Sequence, residues 1–325
     1  MKLFLGVDVG GSRTRALIAD GEGRALGYGE TGAGSHEMVG YKGLREAAER
    51  SSLQAIRRAG AAPKDIVCMG AGVAGYDWPS ERETTLEALS FLGTSCPIMA
   101  VNDSALGLAA VADEGINLTA GTSNNCYGRW KGRTGSLAGA GFPAGEEGGA
   151  MEIALLAYRA INHERIRRGP ATAVTRAVLD TVGLRDSGAL VEAITQGRLS
   201  IDPGWATLVF RAFREGDSVA ESIVRREGRE LGESALAVMR QIGLDLEPSG
   251  TAFDLVLSGS LFKLEPALSE EVEAVVRPSA PGGRLVPLEC PPVVGAVALA
   301  MIAMGDDAGP ARTRLADSLR ARALE

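Results

Sequence analysis

The sequence predicts an α/β protein built as two lobes, and three observations support it. The chain has 325 residues, more than one ordinary core of roughly 100–200 residues holds. Its opening third alternates strands and helices as β-β-β-α-β-α-β-α, which calls for a sheet that starts with a three-strand meander. From Gly115 the pattern begins again with a strand, a polar glycine turn and further strands. The boundary therefore falls at Asp113-Glu114-Gly115, giving a first lobe of residues 1–113 and a second of residues 114–305.

Leu3–Val7 is rich in β-formers and reads as a strand, followed by the turn Asp8–Thr14. Thr14–Ala19 and Arg24–Gly29 complete the meander. Gly43–Gly60 carries apolar residues at helical spacing, Leu44, Ala47, Ala48, Leu53, Ile56 and Ala59. Strand Ile66–Gly70 follows Pro63. A helix over about Ser80–Phe91 is expected to start on a capping box of Ser80 and Glu83. Strand Pro97–Val101 leads through Asn102-Asp103-Ser104 into helix Ala105–Ala112.

In the second lobe, Ile116–Ala120 is a strand, then come Tyr127–Trp130 and Ser136–Ala138. A helical insertion spans about 147–243. Strand Leu255–Leu257 runs into Ser258-Gly259-Ser260 and a helix from Leu261. Leu285–Leu288 is the last strand and Pro292–Met304 an apolar helix. A terminal helix within 306–325, centred on Ala311–Leu324, is expected to pack back on the first lobe.

Composition narrows the function. The formal charge is −7 and the pI about 5.2, which argues against a general nucleic-acid binder with its basic face. Cys68, Cys96, Cys126 and Cys290 stand far apart, no Cys-x-x-Cys occurs, and two histidines cannot complete a Cys/His zinc site. Reduced cysteines, an aspartate as early as Asp8 and no long uninterrupted apolar run lead to the expectation of a cytoplasmic protein without membrane spans. Glycine, at 43 residues, is about twice as frequent as usual.

Two of the glycine turns carry chemistry. In Asp8-Val9-Gly10-Gly11-Ser12-Arg13-Thr14 a carboxylate closes a strand, small residues leave backbone N–H groups free, and Ser12 and Thr14 add hydroxyls. Such a concave row of donors suits phosphate oxygens. No helix follows and the Gly-x-Gly-x-x-Gly spacing is absent, so this is not a dinucleotide fingerprint, nor is it a P-loop. Leu118-Thr119-Ala120-Gly121-Thr122-Ser123-Asn124 repeats the arrangement. An ordinary tight hairpin is the alternative for either turn taken alone.

Six segments in order resemble the N-acetylglucosamine kinases and the related BadF/BcrA-type ATPases of the actin/hexokinase superfamily. They are the first turn, Asn102-Asp103-Ser104-Ala105, Gly121-Thr122-Ser123-Asn124-Asn125-Cys126, Gly145-Glu146-Glu147-Gly148-Gly149-Ala150, Leu257-Ser258-Gly259-Ser260, and Pro292–Ala300. The resemblance implies two ribonuclease H-like lobes with an interlobe cleft. It implies ATP held by Gly10, Gly11, Ser12, Arg13 and Thr14, by Gly121, Thr122 and Ser123, and by an adenosine turn at Gly259 and Ser260. Mg²⁺ would be served by Asp8 through water. Asp103 is implied as the base that takes the acceptor's proton, a helix N-cap being its plain alternative.

The acceptor contacts implied are Ser35, His36, Asn124, Asn125 and Glu146, with His36 alternatively an exposed loop residue. Relatives of this kind are often homodimers, which is the expectation here.

The chain departs from the family pattern at four places. Ser123 stands where glycine is usual, Glu146 where aspartate is, His36 where asparagine is frequent, and Phe142 where a polar residue is common. These spare Asp8 and Asp103 but alter the acceptor pocket, so the expected activity is ATP-dependent phosphorylation of an amino-sugar hydroxyl, with N-acetylglucosamine and glucosamine both open. An ATPase activator of the same fold and a catalytically weak sugar or nucleotide sensor are the alternatives. The activator needs closely placed cluster cysteines that the spacing does not supply.

Overall fold

Seven consecutive buried residues, Leu3–Val9, form β1, which a strand covered on both faces requires. In the computed structural model, which describes residues 2–322, β1 pairs antiparallel with β2 (Thr14–Asp20), and β2 with β3 (Ala25–Thr31). On its other side β1 pairs parallel with β4 (Ile66–Val73), and β4 with β5 (Ile98–Asn102). The sheet order is β3-β2-β1-β4-β5.

Helix α1 (His36–Arg58) covers one face with Leu44, Ala48, Ala55 and Ile56. It starts seven residues earlier than its periodicity suggests, because a break at Gly40 (φ 68°, ψ 170°) interrupts the pattern. Helix α2 (Arg82–Leu89) lacks the expected Ser80–Glu83 box. Instead Glu81 closes a short 3₁₀ turn over Pro79–Glu81, accepting from the backbone N–H of Asp77 (3.0 Å) and Trp78 (2.9 Å). Helix α3 (Ser104–Ala109) follows β5 directly.

A second sheet holds β6 (Gly115–Ala120), β7 (Asn124–Trp130) and β8 (Arg133–Ser136). The helical insertion is α4 (Ala150–Arg165), α5 (Ala173–Val182), α6 (Ser187–Thr195), α7 (Trp205–Arg214) and α8 (Ser218–Ile242). Then come β9 (Phe253–Ser258), the single turn α9 (Leu261–Leu264), α10 (Ala267–Val276) and β10 (Gly283–Pro287). The order β10-β9-β6-β7-β8, reversed, matches the first sheet strand for strand, with β6 in the place of β1. The internal repeat that the sequence hints at is thus a repeat of topology.

Helices α11 (Val293–Ala303) and α12 (Gly309–Arg322) end the described chain; residues 323–325 of the expected terminal helix lie outside it. Contacts divide the chain into two units: Met1–Asn117 with Tyr127–Thr134 and Val286–Glu325, and Leu118–Cys126 with Gly135–Leu285. Within the first, Gly295 lets α11 cross α3, since a Cβ there would stand 2.0 Å from the Leu106 carbonyl oxygen. Arg312 of α12 donates to the Ala109 carbonyl (2.7 Å) and pairs with Asp113.

Candidate active site

In the first unit, three neighbouring parallel strands each deliver an aspartate at or just past their carboxyl ends: Asp8 on β1, Asp77 after β4, and Asp103 after β5. This edge of an open parallel sheet is where ligands bind in α/β proteins. Asp103 occupies the N-cap position of α3, yet its side chain accepts no capping hydrogen bond. The neighbouring Asn102 does that work: its Oδ1 accepts from the Ser104 N–H (2.9 Å) and hydroxyl (2.5 Å), and its Nδ2 donates to Asp77 Oδ1 (2.7 Å). Asp103 is therefore left for other chemistry.

Burial and the nearby charges of Asp8 and Asp77 push the Asp103 carboxyl up to about 7, against a smaller downward pull from the Ser104 and Asp103 backbone N–H groups. Asp8 is buried and lifted to about 6 by desolvation, with Arg15 opposing. Arg15 Nη1 lies 3.5 Å from Asp8 Oδ2, and its Nε is 3.4 Å from Glu30. Neither Arg15 nor Asp77 was singled out by the sequence; the rule that sites gather at the ends of parallel strands is the signal that finds Asp77.

The first hairpin is closed by Gly10 N–H donating to the Arg13 carbonyl (2.9 Å). Ser12 and Arg13 are exposed at its tip, and Arg13 pairs with Glu30. Thr14 departs from the expectation of an available hydroxyl: it is fully buried on β2, Oγ1 unpaired, where a Cβ on Gly34 would stand 2.4 Å from it.

Beside this hairpin, Ser35 is buried and its carbonyl accepts from Met38 and Val39. His36 is no exposed loop residue. Its side chain is 9% exposed, its ring stacks on Tyr41 with centroids 4.5 Å apart, and Nε2 lies 3.3 Å from Glu81 Oε1. The structure thus brings Asp8, Ser35, His36 and Asp103 into one unit with the first hairpin.

The remaining expected residues lie in the second unit. Its hairpin is one residue shorter, closed by Gly121 N–H donating to the Ser123 carbonyl (3.0 Å), with Thr122 and Ser123 exposed. Ser123 needs no left-handed backbone, since positive φ among non-glycine described residues is confined to Lys131 and Arg167. The hairpin's carbonyls at Gly121 and Thr122 accept from the Ala150 and Met151 N–H groups at the start of α4 (2.9 and 3.0 Å). It rests on Gly149, where a Cβ would stand 2.6 Å from the Ser123 Cα. So the serine at 123 packs on a glycine at 149 that leaves it room.

Asn124 and Asn125 belong to β7 and not to the turn. Asn124 is buried and donates to the Glu147 carbonyl (2.8 Å) and to Ser234 Oγ (3.1 Å), while Asn125 Oδ1 accepts from the Cys126 N–H. Glu146 is engaged with backbone N–H groups at Ala138 (2.7 Å), Ala140 (2.6 Å) and Gly141 (3.3 Å). Its longer side chain thus holds the loop that contains Phe142. Gly259 (φ +95°) lies on β6, where a Cβ would stand 2.1 Å from the Ala120 carbonyl oxygen, and Ser258 Oγ is 2.8 Å from Thr119 Oγ1. Gly259 and Ser260 are exposed at this turn.

A glycine hairpin thus stands on each of two sheets of one strand order, and the first sheet carries three aspartates at its strand ends. The chain belongs to the BadF/BadG/BcrA/BcrD ATPase family, whose model matches residues 5–300. It is 26% identical over 249 residues to the N-acetylmuramic acid/N-acetylglucosamine kinase of Clostridium acetobutylicum, covering 75% of this chain and 81% of that one. It is 22% identical over 317 residues to the N-acetyl-D-glucosamine kinase of Dictyostelium discoideum, covering 92% and 98%. The crystal structure of a candidate N-acetylglucosamine kinase from Chromobacterium violaceum superposes with a TM-score of 0.68 at 23% identity, covering 92% of this chain and 99% of that one.

Proposed function

We propose that the protein transfers the γ-phosphoryl group of ATP to a hydroxyl of an amino sugar, with Asp103 as general base. The observation that carries this is Asp103 itself: relieved of capping by Asn102 and raised to about 7 by burial and two like charges, it is matched to proton abstraction near neutral pH. The acceptor oxygen attacks phosphorus while Asp103 takes its proton, and the bond to the β,γ-bridging oxygen breaks to release ADP. In the first unit the exposed tip of the Gly10–Arg13 hairpin offers backbone N–H groups and Ser12 to phosphate. In the second, Gly121–Ser123 does the same, and Gly259-Ser260 serves the nucleoside. In the first unit Ser35 and His36 serve the acceptor; in the second, Asn124 and Glu146, whose bonds are internal, hold backbone in place beside Asn125.

Mg²⁺ fits the residues present. Among the described residues no three Asp, Glu, His or Cys side chains converge as a cage, but Mg²⁺ keeps much of its water and needs only one or two carboxylates besides phosphates. Asp8, buried and with Arg15 Nη1 at 3.5 Å, is the residue that would serve it through water, where the ion would neutralise phosphate charge. The same reading carries a cytoplasmic homodimer, which cell fractionation and sedimentation equilibrium test; no helix among the described residues is long and apolar enough to cross a membrane.

The test is ADP release from Mg-ATP with N-acetylglucosamine, glucosamine, N-acetylmannosamine, N-acetylmuramate and glucose. The expected result is release dependent on an amino sugar. Release indifferent to every sugar would contradict the proposal.

A further inference from the structure

The loop after β4 holds a residue pair, Asp77 and Trp78, to which the reaction as described gives no contact with the acceptor. Trp78 is the largest side chain of that loop and is 52% exposed, next to the half-buried Asp77. Their backbone is fixed from two directions. Glu81 Oε2 accepts from both N–H groups, and Asn102 Nδ2 donates to the Tyr76 carbonyl (3.3 Å) and to Asp77 Oδ1 (2.7 Å). Asn102 is the residue immediately before Asp103, so one side chain sets both the base and Asp77. Glu81 in turn meets His36, and Glu37 lies over Gly75, where a Cβ would stand 2.9 Å from its Cγ. The loop is therefore tied to the start of α1, and Met38 and Val39 are exposed there as well.

An exposed indole next to a carboxylate, on backbone fixed from two sides, matches a pyranose ring, apolar on its C–H face and bearing hydroxyl donors at its rim. The geometry points to Asp77 and Trp78 as an acceptor subsite: the sugar ring lies against the Trp78 indole and donates one hydroxyl to the Asp77 carboxylate while a neighbouring hydroxyl meets Asp103. This deepens the kinase reading above and rests on it. Asp77 Oδ1 accepts from Asn102 Nδ2 at 2.7 Å, which orients the carboxylate.

The experiment is calorimetric binding of N-acetylglucosamine and glucosamine to the full chain, beside steady-state kinetics, for wild type, Trp78→Ala, Trp78→Phe and Asp77→Asn. Trp78→Ala is expected to weaken sugar binding and raise sugar KM by roughly tenfold, with ATP KM unchanged and Trp78→Phe retaining most of the affinity. Asp77→Asn is expected to weaken sugar binding by about tenfold or more. Addition of sugar should change tryptophan fluorescence in wild type and not in Trp78→Phe. Unchanged sugar affinity in Trp78→Ala and Asp77→Asn, with wild type still phosphorylating sugar, would overturn the subsite and leave the kinase. Wild type that neither binds nor phosphorylates any sugar would overturn both.

Discussion

Asp103 is the residue on which the account turns, and its environment makes the pH dependence specific. Its carboxyl is raised from the ordinary value to about 7 by burial, Asp8 and Asp77. A base works only when deprotonated, so sugar-dependent kcat/KM should rise with pH through about 7. Replacing Asp77 with asparagine removes a negative charge beside it, which favours ionised Asp103. The acid limb in Asp77→Asn should move to lower pH. A limb that stays in place would mean that another group sets it. The neighbouring residues explain what the sequence could show: Asn102, Asp103 and Ser104 are all good N-caps, and only the fold decides that Asn102 caps and Asp103 does not. His36 came from the family resemblance, with an exposed loop residue as its alternative, and its stack on Tyr41 follows a break at Gly40 that no periodicity contains.

At the scale of elements, strands and helices were legible where apolar residues run together, as in β1, or recur at helical spacing, as in α1, whereas their junctions and the division of 147–243 into five helices were not. The capping box moved to Glu81 because Pro79 starts a 3₁₀ turn first, and Asn124 and Asn125 fell in β7 because the second hairpin closes as early as Ser123. Two predictions belong here. At Gly259 a Cβ meets the Ala120 carbonyl and the backbone is left-handed; Gly259→Ala should cost on the order of 1–3 kcal/mol and lower Tm by a few degrees. It should also weaken ATP binding, which titration of the nucleotide checks.

The second concerns α8. Glu227 is fully buried, neither carboxyl oxygen has a hydrogen-bond partner, and Arg226 Nε is 3.7 Å away. Desolvation first, then the charges of Glu147, Glu152 and Glu230, outweigh Arg226 and raise it from 4.5 to about 8. The folded protein thus holds a proton that the unfolded chain has released above about 4.5, so stability drains as pH rises from there toward 8. Glu227→Gln removes this loss. Urea midpoints should be similar near pH 4.5, while at pH 8.5 the variant should be the more stable by on the order of a few kcal/mol. A variant that loses stability equally at both values would show that the carboxyl has another role.

For the whole molecule, two sheets of one strand order, each with a glycine hairpin after its central strand, show why a weak sequence repeat was visible at all. A glycine turn after a strand survives in sequence, but pairing order does not, because many sequences satisfy the same strand. The acidic chain, at −7, binds an anionic nucleotide in this account through local backbone donors and not through net charge. What separates a kinase from an ATPase of the same family is where the transferred phosphate ends. The most direct measurement is therefore the fate of label from γ-³²P-ATP, with N-acetylglucosamine or glucosamine present, in wild type and Asp103→Asn. The account predicts label on the sugar in wild type, and loss of transfer by about 10²-fold or more in Asp103→Asn with ATP binding intact. Label found only in inorganic phosphate, or transfer undiminished in Asp103→Asn, would contradict it.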